Sequence, residues 1–251
     1  MILLLTGCIN PNGMAFTALS NIDERKSQYI NAIRYYLSNT DFQIVFAENS
    51  NTDISPMFPG PITSGRMECL TFNGNQDKER GKGYGECEII EYALKHSKLI
   101  ASSHDQSIAK ITGRLIVVNI TSIVKWHHLL FPKRSVFCAI NSDLSFPDSR
   151  LIIAPTSFYQ RFLHSKENIN DSKGYYFEYA LRDTLIKEKA YPYTPFFIMP
   201  HIEGMSGSTG KLYSQRTPQT FSFALRYAKY AFHLRRKFKI LRNNPALFAF
   251  R

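Results

Sequence analysis

A chain of 251 residues with 44% hydrophobic and 20% charged side chains suits one large α/β domain with a sizeable core, and excludes a disordered or collagen-like chain. Its net charge of +11 is uneven. From Gly204 to Arg251 there is no Asp or Glu, while Lys211, Arg216, Arg226, Lys229, Arg235, Arg236, Lys237, Lys239, Arg242 and Arg251 are basic, so the tail is built to meet something anionic and the nearly neutral body to do something else.

Ile2 to Leu5 is a short apolar run closing in Thr6-Gly7, which fits a buried strand feeding a turn. It lacks a basic n-region and is too short for a signal peptide, and no stretch reaches the length of a membrane span, so a cytosolic protein is expected. Asp23 is placed to cap a helix with Ile30, Ile33, Tyr36 and Leu37 on one side, and Asp41 to Ala47 reads as a second strand ending in Glu48-Asn49. Strand, helix, strand in this order predicts a βαβ unit and a mostly parallel sheet. Further strands are expected at Glu68–Phe72, Arg114–Ile120, Ser135–Ile140, Leu151–Ala154 and Phe196–Met199. Helices are expected at Cys87–His96, Thr121–Leu130, Pro155–His164, Tyr175–Lys187 and Phe221–Leu241. Cys8, Cys69, Cys87 and Cys138 lie far apart with no CxxC spacing, as free thiols in a reducing compartment would.

In open α/β sheets the ligand sits beyond the carboxyl ends of the strands, so the polar residues that follow each strand are the candidates for chemistry. Gly81-Lys82-Gly83-Tyr84-Gly85-Glu86, ahead of a helix, combines glycines that let backbone N–H groups approach an anion with a lysine charge; a plain flexible loop is the other reading. Lys110-Ile111-Thr112-Gly113-Arg114 sets two cations and a hydroxyl around a glycine, suited to a diphosphate, or else forms a solvated turn. In Asn141-Ser142-Asp143 the carboxylate of Asp143 is placed either to hold Mn²⁺ or Mg²⁺ or to close an Asx-turn. Glu178, among Tyr175, Tyr176, Phe177 and Tyr179 at a helix start, is a candidate base, and core packing explains the same aromatics. His201 and Glu203 open a segment of small residues, Gly204 to Gly210, that reads as a mobile loop over a ligand or as ordinary surface.

The last helix carries the stripe Phe223, Tyr227, Tyr230, Leu234, Phe238 and Leu241, walled by cations. Such a helix suits an anionic membrane surface, although the stripe is equally able to pack on the domain. No helix-turn-helix, zinc-finger or RNA-recognition pattern occurs, and no nucleic-acid partner is expected.

The sequence of these segments, from Thr6-Gly7 and Glu48-Asn49 through the Gly81–Glu86 and Lys110–Arg114 runs to Ser206-Gly207-Ser208-Thr209-Gly210, resembles bacterial glycosyltransferases that build capsule, O-antigen or lipooligosaccharide chains. The resemblance covers most of the chain apart from the last helix. It implies a GT-A-like, Rossmann-like α/β domain over residues 1–218 and a basic amphipathic helix over 219–251 that anchors on the inner face of the cytoplasmic membrane. It also implies a nucleotide-sugar donor and a lipid-linked glycan acceptor. Under it, Thr6, Gly7, Glu48 and Asn49 would lie near base and ribose. Lys82, Gly83, Lys110, Thr112 and Arg114 would lie near diphosphate and sugar, with Asp143 and His201 as further donor contacts. Asn141-Ser142-Asp143 stands where such enzymes carry Asp-x-Asp, with Asn in the first place, so that cations could replace the ion. Glu178 and Glu203 are the candidate catalytic carboxylates. A nucleotidyltransferase acting on a sugar phosphate, or a non-catalytic basic protein coating membrane or nucleic acid, are the competing expectations.

Overall fold

The computed structural model describes residues 1–14, 17–103, 107–207, 209–214 and 220–245. Ser208, Arg216, Arg251 and the expected boundary at 218/219 lie outside them. The chain runs β1 (Ile2–Gly7), α1 (Ile22–Asn39), β2 (Gln43–Glu48), α2 (Pro59–Thr63), β3 (Met67–Thr71), α3 (Lys82–His96), α4 (Lys98–Ala101), β4 (Ser107–Thr112), β5 (Ile116–Val117) and α5 (Ile120–Leu130). It continues with β6 (Val136–Phe137), β7 (Leu151–Pro155), α6 (Thr156–Leu163), α7 (Phe177–Lys187), β8 (Tyr193–Thr194), β9 (Ile202–Met205), β10 (Leu212–Ser214) and α8 (Phe221–Asn243).

Strand alternation builds two cores. Ile2 and Leu4 of β1 face one side of the sheet with Cys87, Ile90, Phe158, Phe177 and Leu181, while Leu3 and Leu5 face the other with Tyr29, Ile33, Tyr36, Ile120 and Val124. A strand covered on both faces has no exposed side to mark with polar residues, which is why β1 reads as an unbroken apolar run. Seven strands lie in the order β3-β2-β1-β4-β7-β6-β8. All run parallel except β7, which is antiparallel to β4 and β6. This is the mostly parallel α/β sheet flanked by helices that the segment pattern predicts. The order moves outward from β1 to β3 and then returns to the other side of β1 at β4. The reversal opens a crevice beyond the carboxyl ends of these two strands. A second sheet, β10-β9-β5, is antiparallel and brings Met205 to Gly207 over that crevice.

Several elements differ from the sequence expectation. Asn21, not Asp23, caps α1, its side-chain oxygen accepting from the Glu24 N–H at 2.9 Å. The expected strand Arg114–Ile120 is only β5, in the second sheet; the strand of the central sheet is β4, just before it. The chain breaks at Gly113, whose N–H donates to Thr6 O at 2.9 Å, and turns where Leu115 N–H donates to Thr112 O at 2.8 Å. Phe196–Met199 is not a strand, and β8 sits earlier, at Tyr193–Thr194. Ser135–Ile140 joins the central sheet only over β6, with Ile140 in an isolated bridge to Pro147. Helix α3 begins at Lys82, so the glycine segment is helix rather than loop. Its glycines serve close approach: at Gly81, where φ is +89°, a Cβ would come within 2.5 Å of Asp171, and at Gly83 within 3.1 Å of the Phe177 backbone nitrogen.

Helix α8 divides along its length. Leu234, Phe238 and Leu241 belong to the core shared with β1, and Phe238 lies 4.3 Å from the Tyr193 ring, centroid to centroid. Phe221, Leu225 and Phe232 are exposed on another face. Among the described residues no helix is long and apolar enough to cross a membrane. Removing α8 would therefore strip the domain core as well as the basic charge. Phe238→Ala is expected to cost about 3–5 kcal/mol, seen as a fall in Tm on the order of 10 °C in a thermal melt. An unchanged Tm would mean that α8 does not pack in this way.

Candidate functional site

The crevice holds a cavity of about 840 Å³. Its walls come from the start of α3 (Lys82, Gly83, Glu86), the end of β4 and the turn beyond it (Lys110, Thr112, Arg114), and the approach to β7 (Asp148, Ser149, Arg150). The start of α7 (Tyr176, Phe177, Glu178) and the end of β9 (Met205 to Gly207) complete them. The convergence of Lys82, Lys110 and Arg114 is the arrangement that the segment pattern requires. The wall is nevertheless balanced: Glu86, Asp148, Asp171 and Glu178 line it with Lys82, Lys110, Arg114 and Arg150.

Lys110 is a lysine in mid-sheet, in register with Leu4 of β1 and Ile152 of β7, and only 1% exposed. Burying its charge is costly unless it is matched. The match is an ion pair with Glu86 and a hydrogen bond from Nζ to Ser149 O of 2.7 Å. Thr6 Oγ1 donates to Glu86 Oε1 at 2.7 Å, which aims the carboxylate at the lysine. From the same corner, Ser149 Oγ donates to Glu178 Oε1 at 2.6 Å. Burial pushes the Glu178 carboxyl above the usual carboxylate range, against the opposing hydrogen bond from Ser149.

Asp171 accepts the Gly83 N–H at 3.1 Å, so a carboxylate already occupies the helix start that the sequence offered as an anion cradle. Burial raises Asp171, and it lowers the ammonium of Lys82, an effect that Asp171 partly offsets. Arg150 is held by Asp148, Nε to Oδ1 at 2.9 Å, and lies 4.6 Å over the Tyr213 ring. Arg114 is different. Its Nη1 donates to Met205 O at 2.9 Å and to Gln28 Oε1 at 3.2 Å, and its Nε is buried without a hydrogen-bond partner among the described residues. No carboxylate is paired with it among the described residues. Gly207 lies so close that a Cβ there would come within 2.4 Å of Arg114 Nη2.

The remaining candidates lie outside the cavity. Thr6 acts through Glu86, and a Cβ on Gly7 would fall 2.7 Å from the Phe46 ring. Glu48 is fully buried and organises backbone, accepting from Ile9 N at 2.8 Å, Ser50 N at 2.9 Å and Thr52 N at 2.9 Å. Asn49 is fully buried with neither amide atom hydrogen-bonded. Asp143 is exposed and accepts from Ser145 N at 2.8 Å; hydrogen bonds from Ser145 hold its carboxyl below the usual range. That is the Asx-turn geometry, and it leaves Asp143 outside the lining of the cavity. Among the described residues, no three His, Cys, Asp or Glu side chains gather where they could hold a metal ion. The backbone N–H of His201 donates to Asn119 Oδ1 at 2.9 Å, and Glu203 is exposed in mid-β9; neither reaches the cavity.

Asp148, Ser149, Arg150, Asp171 and the role of Glu86 were not singled out from sequence. The first three precede β7, and because β7 is antiparallel its beginning, not its end, lies at the carboxyl edge of its neighbours.

No protein-family model matches the chain, and no curated protein is similar to it in sequence. Among solved structures, the chain is similar to a cytidylyltransferase from Leptospira borgpetersenii serovar Hardjo-bovis (11% identity, 98% of this chain and 96% of that one, TM-score 0.44). It is similar also to the bifunctional glycosyltransferase WbbM (9% identity, 92% of this chain and 44% of that one, TM-score 0.46). A third is mouse xyloside xylosyltransferase 1 (10% identity, 78% of this chain and 83% of that one, TM-score 0.39).

Lys110→Met leaves Glu86 facing an apolar strand, with an expected loss of about 3 kcal/mol in urea unfolding, whereas adding Glu86→Leu recovers most of it. Two additive losses would show that the charges are not coupled.

Proposed function

We propose that the chain is a glycosyltransferase that moves a sugar from a nucleotide-sugar donor to a hydroxyl of a lipid-linked glycan acceptor in bacterial surface polysaccharide synthesis. The observation that carries the reading is the cavity at the β1/β4 reversal, where Lys82, Lys110, Arg114 and Arg150 share one wall system with the buried carboxyl of Glu178. A nucleoside diphosphate leaving group gains negative charge as the bond from its oxygen to the anomeric carbon breaks, and fixed cations in a partly dry cavity stabilise that charge. Arg114 supplies N–H groups that no carboxylate of the described residues consumes, and Lys82 adds a second charge to the cavity wall. Glu178 takes the proton from the acceptor hydroxyl as its oxygen bonds to the anomeric carbon. The reading takes no step through a metal ion. Exposed Phe221, Leu225 and Phe232, with Arg226, Lys229 and Arg236 beside them, support contact of α8 with an anionic membrane. Of the stripe offered for this purpose from sequence, Leu234, Phe238 and Leu241 are turned to the domain instead, while Tyr230 stays exposed.

A panel of nucleoside diphosphates and nucleotide sugars, with and without Mg²⁺ or Mn²⁺, is expected to raise the Tm by roughly 5–10 °C at a hundredfold excess over Kd. Arg114→Ala is expected to abolish the shift. No stabilisation by any of them, or pyrophosphate release from a nucleoside triphosphate and a sugar phosphate, would sink the reading in favour of another class.

Glu178→Gln is expected to lower kcat by about 10²- to 10⁴-fold while the nucleotide Tm shift is kept. Because the base works deprotonated and its folded pKa is raised, wild-type kcat falls with decreasing pH at a point above the ordinary glutamate value of about 4.3. An acidic limb at or below that value would remove Glu178 from this role.

A further inference from the structure

The strongest charge concentration outside the crevice lies between β8 and α8, where a cavity of about 500 Å³ is lined by Arg235, Arg236, Lys239 and Arg242 together with Tyr193 and Phe232. On this one helix Arg236 and Lys239, and Lys239 and Arg242, stand three positions apart and Arg235 and Lys239 four, spacings at which like charges repel. Among the described residues no carboxylate lines the cavity, and none of the ion pairs involves these cations. Two of the guanidiniums are fixed in place. Arg242 Nη2 donates to Glu188 O at 2.6 Å and to Tyr191 O at 3.1 Å, while its Nε is buried without a partner. Arg235 lies 5.3 Å over the Phe131 ring. Arg236 and Lys239 are exposed at the mouth. Helix α8 thus holds together a set of positive charges that no carboxylate of the described residues neutralises.

The surroundings name the ligand. Phe232, 62% exposed, lines the cavity and continues an apolar stripe with Phe221 and Leu225 at spacings of seven and four, hence on one helix face. A soluble phosphate or a nucleic acid would be served by the cations alone. An amphiphile uses both features, its phosphate among the arginines and its chains against the phenylalanines. We propose that this cavity binds the phosphate-bearing headgroup of an anionic membrane lipid, so that α8 engages a discrete lipid molecule and not only a diffuse negative surface. This deepens the membrane contact proposed above and is independent of the nucleotide-sugar chemistry.

The test uses the full chain and dihexanoyl phosphatidic acid below its micelle concentration, which presents one headgroup without a membrane. A saturable Tm rise is expected. Arg236→Ser/Lys239→Ser should weaken that binding about thirtyfold, the product of about fivefold for each cation near a phosphate. Arg226→Ser/Lys229→Ser, which removes the same charge from α8 outside the cavity, should change it by less than about twofold. Equal losses in the two variants, no shift with the lipid, or an equal shift with inorganic phosphate at the same concentration would each overturn the proposal. Binding of the short-chain lipid without sedimentation on phosphatidylglycerol vesicles would keep the headgroup site and remove the membrane contact. Retention of the nucleotide Tm shift in both variants keeps either outcome separate from the enzymatic reading.

Discussion

Much of the architecture follows from placing a charged lysine in the middle of a central strand. Strand alternation commits Lys110 to the α3 side of the sheet, and its ammonium can be tolerated there only if a carboxylate meets it within the same layer. Glu86 does so because α3 begins early, with Gly81 and Gly83 pressed on Asp171 and the Phe177 backbone. The pair is then extended in both directions: Thr6 holds Glu86 from β1, Ser149 O accepts from Lys110, and the hydroxyl of the same serine reaches Glu178 at the start of α7. A single polar network therefore ties β1, α3, β4, the approach to β7 and α7 at the point where strand order reverses. Networks of this kind in a low-dielectric interior stiffen what they connect, which is what a site that positions reacting groups requires.

The parts of this arrangement that were legible in the sequence are those where burial leaves a one-dimensional trace. Ile2 to Leu5, Ile44 to Ala47 and Leu151 to Ala154 are covered on both faces, and runs of apolar residues betray them. β4 was hidden for the reason that it matters: Lys110 interrupts its apolar run, and the β-branched stretch just beyond, which looks more like a strand, pairs over only two residues. Lys82, Lys110, Arg114 and Glu178 could be picked out as charged groups near strand or helix ends. Glu48 and Asn49 satisfied the same rule and turned out to be fully buried, at the last position of β2 and just beyond it, with Glu48 holding the backbone of the loops. Position after a strand does not distinguish a side chain that faces a ligand from one that holds the backbone. The converse omission, Asp148 to Arg150, comes from the same rule applied to a strand that runs the other way.

The balance of charges within the cavity alters what attraction to an anion means here. Four carboxylates offset four cations, so the crevice carries no large net field to draw in a polyanion from a distance. Selectivity must come from which N–H groups remain available at short range. Arg150 is spent on Asp148 and Lys110 on Glu86, while Arg114 is held only by neutral oxygens and keeps a buried N–H unmatched. Its guanidinium is kept in place by Gly207, so the β9–β10 connection sets the reach of the least neutralised cation in the site. Of the small residues of that connection, read from sequence as a mobile loop or as ordinary surface, Gly207 has a steric reason: a Cβ there would press on the Arg114 guanidinium.

The excess positive charge has instead been moved to α8, and the helix solves two packing problems with two stripes. Leu234, Phe238 and Leu241 close the core over β8, so the helix cannot be a loosely tethered appendage. Phe221, Leu225 and Phe232 stay outside, next to cations that no carboxylate of the described residues neutralises. A helix needs only the first stripe to fold, and keeping the second in water is unfavourable unless another surface covers it. The distal half of α8 is therefore a structural clamp whose solvent side carries a cationic, aromatic face, and Lys237, donating to Ser142 O, joins that clamp to the loop after β6 whose neighbouring Asn141 lines the cavity. Whatever binds the outer face of α8 is thus one hydrogen bond and one residue away from the wall of the candidate active site.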